Sequence, residues 1–259
     1  MSALLIIGHG TRDETGTEEF HRFVRRVGIK CGTDMVAGGF IDLPEPSLED
    51  AMAELMEAGH RDVTTVPLLL LAAREAKSDI PAALARERER HPGLRTRHGR
   101  PIGVHPMLLD LLRERLAASS QPDPDAILLV SPGTTEPDAN ADLYRAARLL
   151  WETAAESGSG VEQVEPAFAS LTRPSVPEGL ARLRALGARR VTVLPYFLFP
   201  GALPTRIQEQ VEQYAAEQEH DQSALKLAVA DVVGDCDALA DLVLERYQEA
   251  QGRTGAAAK

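Results

Sequence analysis

A histidine stands between two glycines at the end of an apolar run, in Leu4-Leu-Ile-Ile-Gly-His-Gly-Thr-Arg12. Imidazole is a good ligand for Fe, Co, Ni and Zn, and near pH 7 its neutral form is also a base. One residue, His9, can therefore hold a metal and accept a proton. The flanking glycines give the backbone conformations closed to other residues and let a ligand approach closely. The alternative for His9 is a turn histidine that only hydrogen-bonds.

The elements that must position His9 are legible around it. Four apolar residues before Gly8 read as a buried parallel strand, and open α/β sheets receive ligands at the carboxyl ends of such strands. Asp13, Thr15 and Thr17 suit the start of a helix over about 15–28, with Phe20, Phe23, Val24 and Val27 on one face.

The chain is also written twice. Leu4–Thr11 matches Ile127-Leu-Leu-Val-Ser-Pro-Gly-Thr134, Gly39–Ser47 matches Ala167–Ser175, and Val63–Leu71 matches Val191–Phe199. Leu48, Met52 and Leu55 on one helix correspond to Val176, Leu180 and Leu183 on another, both at i, i+4, i+7 spacing. Strands are expected near 3–8, 35–41, 63–71 and 94–104, then near 126–130, 162–169, 190–199 and 225–233. The fold class is therefore α/β: two similar domains, each a mainly parallel four-stranded sheet flanked by helices, arising from internal duplication. The proline-rich stretch 118–125 reads as the linker, giving domains 1–120 and 121–250 and a disordered tail over 251–259.

Composition narrows the partners. A net charge of −11 argues against nucleic acid or an anionic membrane, and 4% aromatic content supplies no base-stacking platform. Cys31 and Cys236 form no CxxC pair and read as thiols of a reducing cytosol. No apolar run approaches 18 residues, so a cytoplasmic protein is expected. The other histidines read as weaker candidates: His60 as a helix cap, His21, His91, His98 and His220 as surface groups, and His105 as a turn residue.

The two halves differ where chemistry is expected. His9 becomes Pro132 and Arg12 becomes Thr135. The loop Leu71-Ala-Ala-Arg-Glu-Ala-Lys-Ser-Asp-Ile-Pro81 is polar, while its counterpart from Phe199 is apolar up to Thr205. Any chemistry lies in the first half.

Gly8–Asp13, Pro67–Leu71 and Lys77–Pro81 together resemble the sirohydrochlorin chelatases, over about residues 3–250 in a duplicated long form. The resemblance implies a lyase that inserts Fe2+ or Co2+ into sirohydrochlorin without ATP, in sirohaem or cobalamin synthesis. The metal is a substrate and no cofactor stays bound. The family places a second histidine in the loop after the third strand, where this chain has Glu75. A carboxylate can also ligate a first-row metal and take up a proton, so the resemblance implies His9 and Glu75 as catalytic and metal-holding residues. The harder oxygen ligand shifts preference toward less soft ions.

The implied tetrapyrrole is rimmed with carboxylates. Arg12, Arg74 and Lys77 can pair with them, and Gly10, Thr11 and the helix start after Thr11 can meet another. A duplicated chain can make internally the pairing a half-length relative needs a dimer for, so a monomer is expected. The competing reading is a tetrapyrrole or metal carrier that kept the binding surface and lost the chemistry.

Overall fold

The protein is described by a computed structural model that covers residues 2–32, 35–42, 45–156, 160–218 and 223–252. The expected tail beyond Gly252 and His220 lie outside the described residues.

In the first half, β1 (Ala3–Gly8), β2 (Val36–Phe40), β3 (Asp62–Pro67) and β4 (Arg95–His98) form one parallel sheet in the order β2-β1-β3-β4. The connecting helices are α1 (Glu14–Cys31), α2 (Leu48–Glu57) and α3 (Ile80–Arg90), followed by α4 (Pro106–Ala117). The second half repeats this with β5 (Ala126–Ser131), β6 (Gln163–Phe168), β7 (Arg190–Pro195) and β8 (Lys226–Val229), in the order β6-β5-β7-β8. Its helices are α5 (Pro137–Glu156), α6 (Val176–Ala185), α7 (Ala202–Glu217) and α8 (Asp237–Ala250).

Every residue of β1 is buried, as is every residue of β5. A strand covered on both faces has no polar side, which explains the unbroken apolar runs. Leu5 and Ile7 join a core with Met52, Leu55, Ile80 and Leu84. By strand alternation Leu4 and Ile6 point to the opposite face.

Local signals fix the helix ends. Asp13 caps α1 by accepting the Gly16 N–H at 3.0 Å. Ser47 and Asp50 form a capping box on α2, and Ser175 and Glu178 repeat it on α6. Gly32, at φ 68°, ends α1 in a left-handed turn.

Two strands end sooner than their apolar runs. β3 stops at Pro67 and β7 at Pro195, although the residues beyond them are largely buried. Proline has no N–H for a neighbouring strand, so the ladder closes while the apolar run continues into a buried turn. β4 and β8 are likewise shorter than the expected 94–104 and 225–233, and α1 is longer than 15–28.

Packing divides the chain into two units, Met1–Gly103 with Asp235–Lys259, and Val104–Gly234. The repeat boundary drawn at 120/121 therefore differs from the packing boundary by one helix on each side. In the first unit α8 packs on α1 and β3. Arg26 meets Asp235 at 2.5 Å and Asp237 at 2.8 Å, and Lys30 meets Asp241 at 2.6 Å. In the second unit α4 packs on β7 and α5, and Arg115 donates to the Val233 carbonyl at 3.0 Å.

The duplicated strand–helix contact shows a reciprocal substitution. A Cβ on Gly39 of β2 would lie 2.4 Å from the Ser47 carbonyl oxygen and 3.0 Å from the Ala51 Cβ of α2. In the other unit the strand carries Ala167 and the helix carries Gly179, whose added Cβ would lie 2.5 Å from the Leu128 side chain and 3.1 Å from the Ala167 Cβ. Each contact thus holds one methyl group and has room for no second. Gly39→Ala is expected to cost about 1–3 kcal/mol of stability by overpacking. The double change Gly39→Ala with Ala51→Gly is expected to recover only part of that loss, because the close approach to the Ser47 backbone remains. Chemical denaturation of the three variants measures the coupling, and an additive double mutant would refute it.

Candidate functional site

The strand order creates an opening at one place in the first sheet. The chain leaves β1 toward β2 on one side and leaves β3 toward β4 on the other, while β1 and β3 are neighbours with Ile7 opposite Pro67. The loops after β1 and β3 must therefore part, and a crevice opens at the carboxyl ends of these two strands. His9 follows β1 directly. Glu75 lies in the loop after β3.

Each glycine beside His9 has its own task. A Cβ on Gly8 would come within 3.0 Å of the rings of Phe20 and Phe40, so only glycine lets both pack against the strand end. Gly10 adopts φ 108°, a left-handed conformation that favours glycine. The turn is pinned from β2, because Ile41 donates to the Gly8 carbonyl at 3.0 Å and Asp42 donates to the His9 carbonyl at 3.1 Å. The backbone is fixed while the His9 side chain stays 52% exposed.

Glu75 opens a π-helical turn, Glu75–Asp79, that runs straight into α3. The Ile80 N–H reaches back five residues to the Glu75 carbonyl. Pro81 cannot donate, and its ring crowds the carbonyl four residues earlier, which favours the wider turn. Single π turns of this kind re-aim side chains and are frequent at functional sites.

The two turns bring the His9 Nε2 to 3.3 Å from the Glu75 Oε1. The Glu75 contact raises the His9 pKa above its ordinary value, against the opposing effect of burial. The negative charge of Asp42 and the Gly10 backbone raise it further. Glu75 is held below the usual carboxylate range, first by the His9 contact and then by its own backbone N–H and the charges of His9 and Arg74. The contact therefore favours an imidazolium facing a carboxylate, and a protonated imidazole must lose its proton before it can bind a metal.

Asp42 is a functional candidate that motif reading passes over. Its counterpart in the second half is Ser170, so it belongs with His9 and Arg12 among the positions where the halves diverge.

The sign of the His9 shift gives a direct test. Its raised value means that the imidazolium form is favoured by folding below about pH 6.5, and that this stabilisation fades as pH rises through the folded pKa. An NMR titration of the His9 ring is expected to give a midpoint above about 6.5, and Glu75→Gln is expected to lower it. An unmoved midpoint in the variant would show that the two side chains do not meet in solution.

The basic residues flank this pair in sequence. Arg12 is exposed. Arg74 is exposed and pairs through Nε with Asp79 at 3.1 Å. Lys77 is exposed on the π-helical turn. Thr11 is engaged in the turn itself, where its hydroxyl accepts the Asp13 N–H at 3.1 Å. The expected anion site at the start of α1 is altered by Asp13, whose own carboxylate takes the Gly16 N–H. A second carboxylate there would meet like charge.

The second unit keeps the frame without the chemistry. Ala169 and Ser170 donate to the Ser131 and Pro132 carbonyls at 2.9 and 3.1 Å, as Ile41 and Asp42 do in the first. Pro132 offers no side-chain ligand. Three of the other described histidines have other partners: His91 lies 3.4 Å from buried Glu87, His98 meets the Thr65 hydroxyl at 3.0 Å, and His105 accepts the Met107 N–H at 3.3 Å. Among the described residues no group of three or more His, Cys, Asp or Glu side chains is set to hold a metal ion, and no helix is long and apolar enough to cross a membrane. A His9–Glu75 pair alone leaves most coordination positions of an ion to water or to an acceptor, which suits transfer better than storage.

The duplication reappears in comparison with known proteins. The CbiX family profile matches residues 3–119 and again residues 126–250. A sirohydrochlorin cobaltochelatase of Priestia megaterium is 34% identical over 255 residues, covering 96% of this chain and 80% of the relative. A sirohydrochlorin ferrochelatase from the same organism is 30% identical, covering 94% and 88%. The solved structure of SirB from Bacillus subtilis with Fe3+ superposes with a TM-score of 0.80 at 26% identity, covering 96% of each chain.

Proposed function

From the membership of this chain in the CbiX family, we propose that it is a sirohydrochlorin chelatase, an enzyme that inserts Fe2+ or Co2+ into sirohydrochlorin, with His9 and Glu75 handling the metal. The observation that supports this pair is the 3.3 Å separation of two metal-competent side chains at the β1/β3 switch point.

Insertion exchanges one divalent ion for two N–H protons of the macrocycle. The ion is a substrate and passes through. Neutral His9 and ionised Glu75 offer one nitrogen and one oxygen to it, replacing part of its water shell. As the ion moves to the ring nitrogens, both side chains become free to accept the two released protons, and solvent removes them. Arg12, Arg74 and Lys77 supply positive charge for the carboxylate rim, with Gly10 and Thr11 lining the turn. Asp42 adds negative charge that favours an approaching cation. The same reading takes the chain as a cytoplasmic monomer with no resident cofactor.

Insertion changes the visible spectrum of the macrocycle, so the reaction is followed by absorbance with Fe2+ and with Co2+. A protein-dependent rate with either ion is expected. A rate equal to that of metal and ring alone would leave a carrier of ring or metal in place of the enzyme. Size-exclusion chromatography with light scattering tests the monomer.

A further inference from the structure

The π-helical turn that carries Glu75 is one donor short. The Ile80 N–H serves the Glu75 carbonyl. In the same register the Ala76 carbonyl would take its bond from residue 81, and Pro81 has no N–H to give. Ala76 spends its own N–H on the Ala73 carbonyl at 3.1 Å. What Ala76 offers to a further partner is therefore its carbonyl oxygen.

His98, which reads from the sequence as a surface group, meets the Ala76 backbone. It ends β4, the edge strand of the first sheet, directly opposite Thr65 of β3. Its Nδ1 lies 3.0 Å from the hydroxyl of Thr65, a residue that is fully buried and so a fixed anchor. The end of β4 is held as well. Gly99 donates to the Thr65 carbonyl at 2.8 Å, and a Cβ on Gly99 would lie 2.9 Å from that oxygen. A neutral imidazole has one lone pair and one N–H, so it can accept from the hydroxyl and donate to the Ala76 carbonyl at once. Partial burial lowers the His98 pKa, against the Ala76 contact, and so favours the neutral ring.

The second unit supplies the control. Val193 stands where Thr65 stands and Val229 where His98 stands, and the two are register partners as the first two are. The backbone bond is kept, with Ala230 donating to the Val193 carbonyl at 2.9 Å. The sheet therefore closes without the hydroxyl and the ring. Both are lost in the unit that carries Pro132 in place of His9, and there the helix after β7 is α-helical from Ala202.

We infer that His98 is a positioning residue for metal insertion, clamping Ala76 to Thr65 and so holding Glu75 at bonding distance from His9. The part played by Glu75 in insertion rests on the chelatase reading, whereas the clamp itself does not.

The test substitutes His98 in the full chain and reads two quantities. His98→Ala is expected to lower the titration midpoint of the His9 ring, followed by NMR in the metal-free protein, toward its value in Glu75→Gln. It should also lower kcat for Co2+ insertion about tenfold and leave the KM for sirohydrochlorin unchanged. His98→Gln, whose amide can donate to the same carbonyl, should restore most of both losses. On a Glu75→Gln background His98→Ala should move the midpoint no further. His98 is exposed at a sheet edge, so the variants should melt like the wild type. A wild-type midpoint or a wild-type kcat in His98→Ala overturns the inference. A loss that His98→Gln does not recover overturns it too, since the ring would then act by packing alone. The midpoint needs neither metal nor macrocycle, so the two readings fail separately. A shifted midpoint in a chain whose wild type inserts nothing refutes the chelatase reading and leaves the clamp standing, whereas insertion with an unmoved midpoint refutes only the clamp.

Discussion

His9→Ala is expected to lower the rate of metal insertion by about 10²–10⁴-fold with both Fe2+ and Co2+. The change removes the imidazole that meets Glu75 at 3.3 Å, and His98, which reaches the same loop at the Ala76 backbone, is held by the Thr65 hydroxyl at 3.0 Å. It should leave stability nearly untouched, because the side chain is half exposed and the turn is fixed by backbone bonds from Ile41 and Asp42. Added imidazole should restore part of the activity, since the space vacated between two glycines opens to solvent. Initial rates by absorbance, with a thermal melt as control, check this outcome. A variant within tenfold of the wild type would place the chemistry elsewhere.

The second large effect is expected at Glu75. Glu75→Ala should lower insertion about tenfold or more by deleting an oxygen ligand and proton acceptor. Glu75→His should instead raise the Co2+ rate severalfold near pH 6.5, for two reasons that act together. A second imidazole is a softer ligand. Losing the carboxylate also lowers the His9 pKa, so a larger fraction of His9 is unprotonated and able to bind the ion. The second effect should fade as pH rises through the His9 pKa, which lies higher in the wild type than in the variant. Rates across pH 6–8.5 therefore separate the two causes. Rates that are the same in Glu75→Ala, Glu75→His and the wild type would mean that position 75 does not touch the ion.

Much of this site is legible in the sequence, because its determinants are local. The Gly8-His9-Gly10 turn at a strand end and the polar loop through Glu75 each announce themselves, and the duplicated half supplies a control in which Pro132 and an apolar loop stand instead. Asp42 was harder to see. It belongs to no motif, and only the comparison of Asp42 with Ser170 distinguishes it from a solvated loop residue. The π-helical turn left no periodic signal, because five residues are too few to set a period. The true end of β3 was masked by burial: Leu68, Leu69 and Leu70 stay in the core after the ladder has closed at Pro67, so hydrophobicity alone overextends the strand. The reciprocal placement of Gly39 with Ala51 and of Ala167 with Gly179 was visible in the letters but meaningless until the two positions were seen to touch.

Least legible was the partner of each half's last helix. Amphipathic spacing says that Leu108, Leu111 and Leu112 of α4 must be covered, but not by which sheet. The outcome is that α4 belongs with β7 and α8 with β3. A gene severed at the linker after residue 120 would accordingly yield two fragments that are each incomplete. The leading piece would bear a helix with nothing to cover its leucines and an α1 stripped of the Arg26 and Lys30 ion pairs to the α8 segment. Co-expressed, the severed pieces should recover a folded state only by lending each other those terminal segments, whereas residues 104–234 alone already contain everything their own sheet requires.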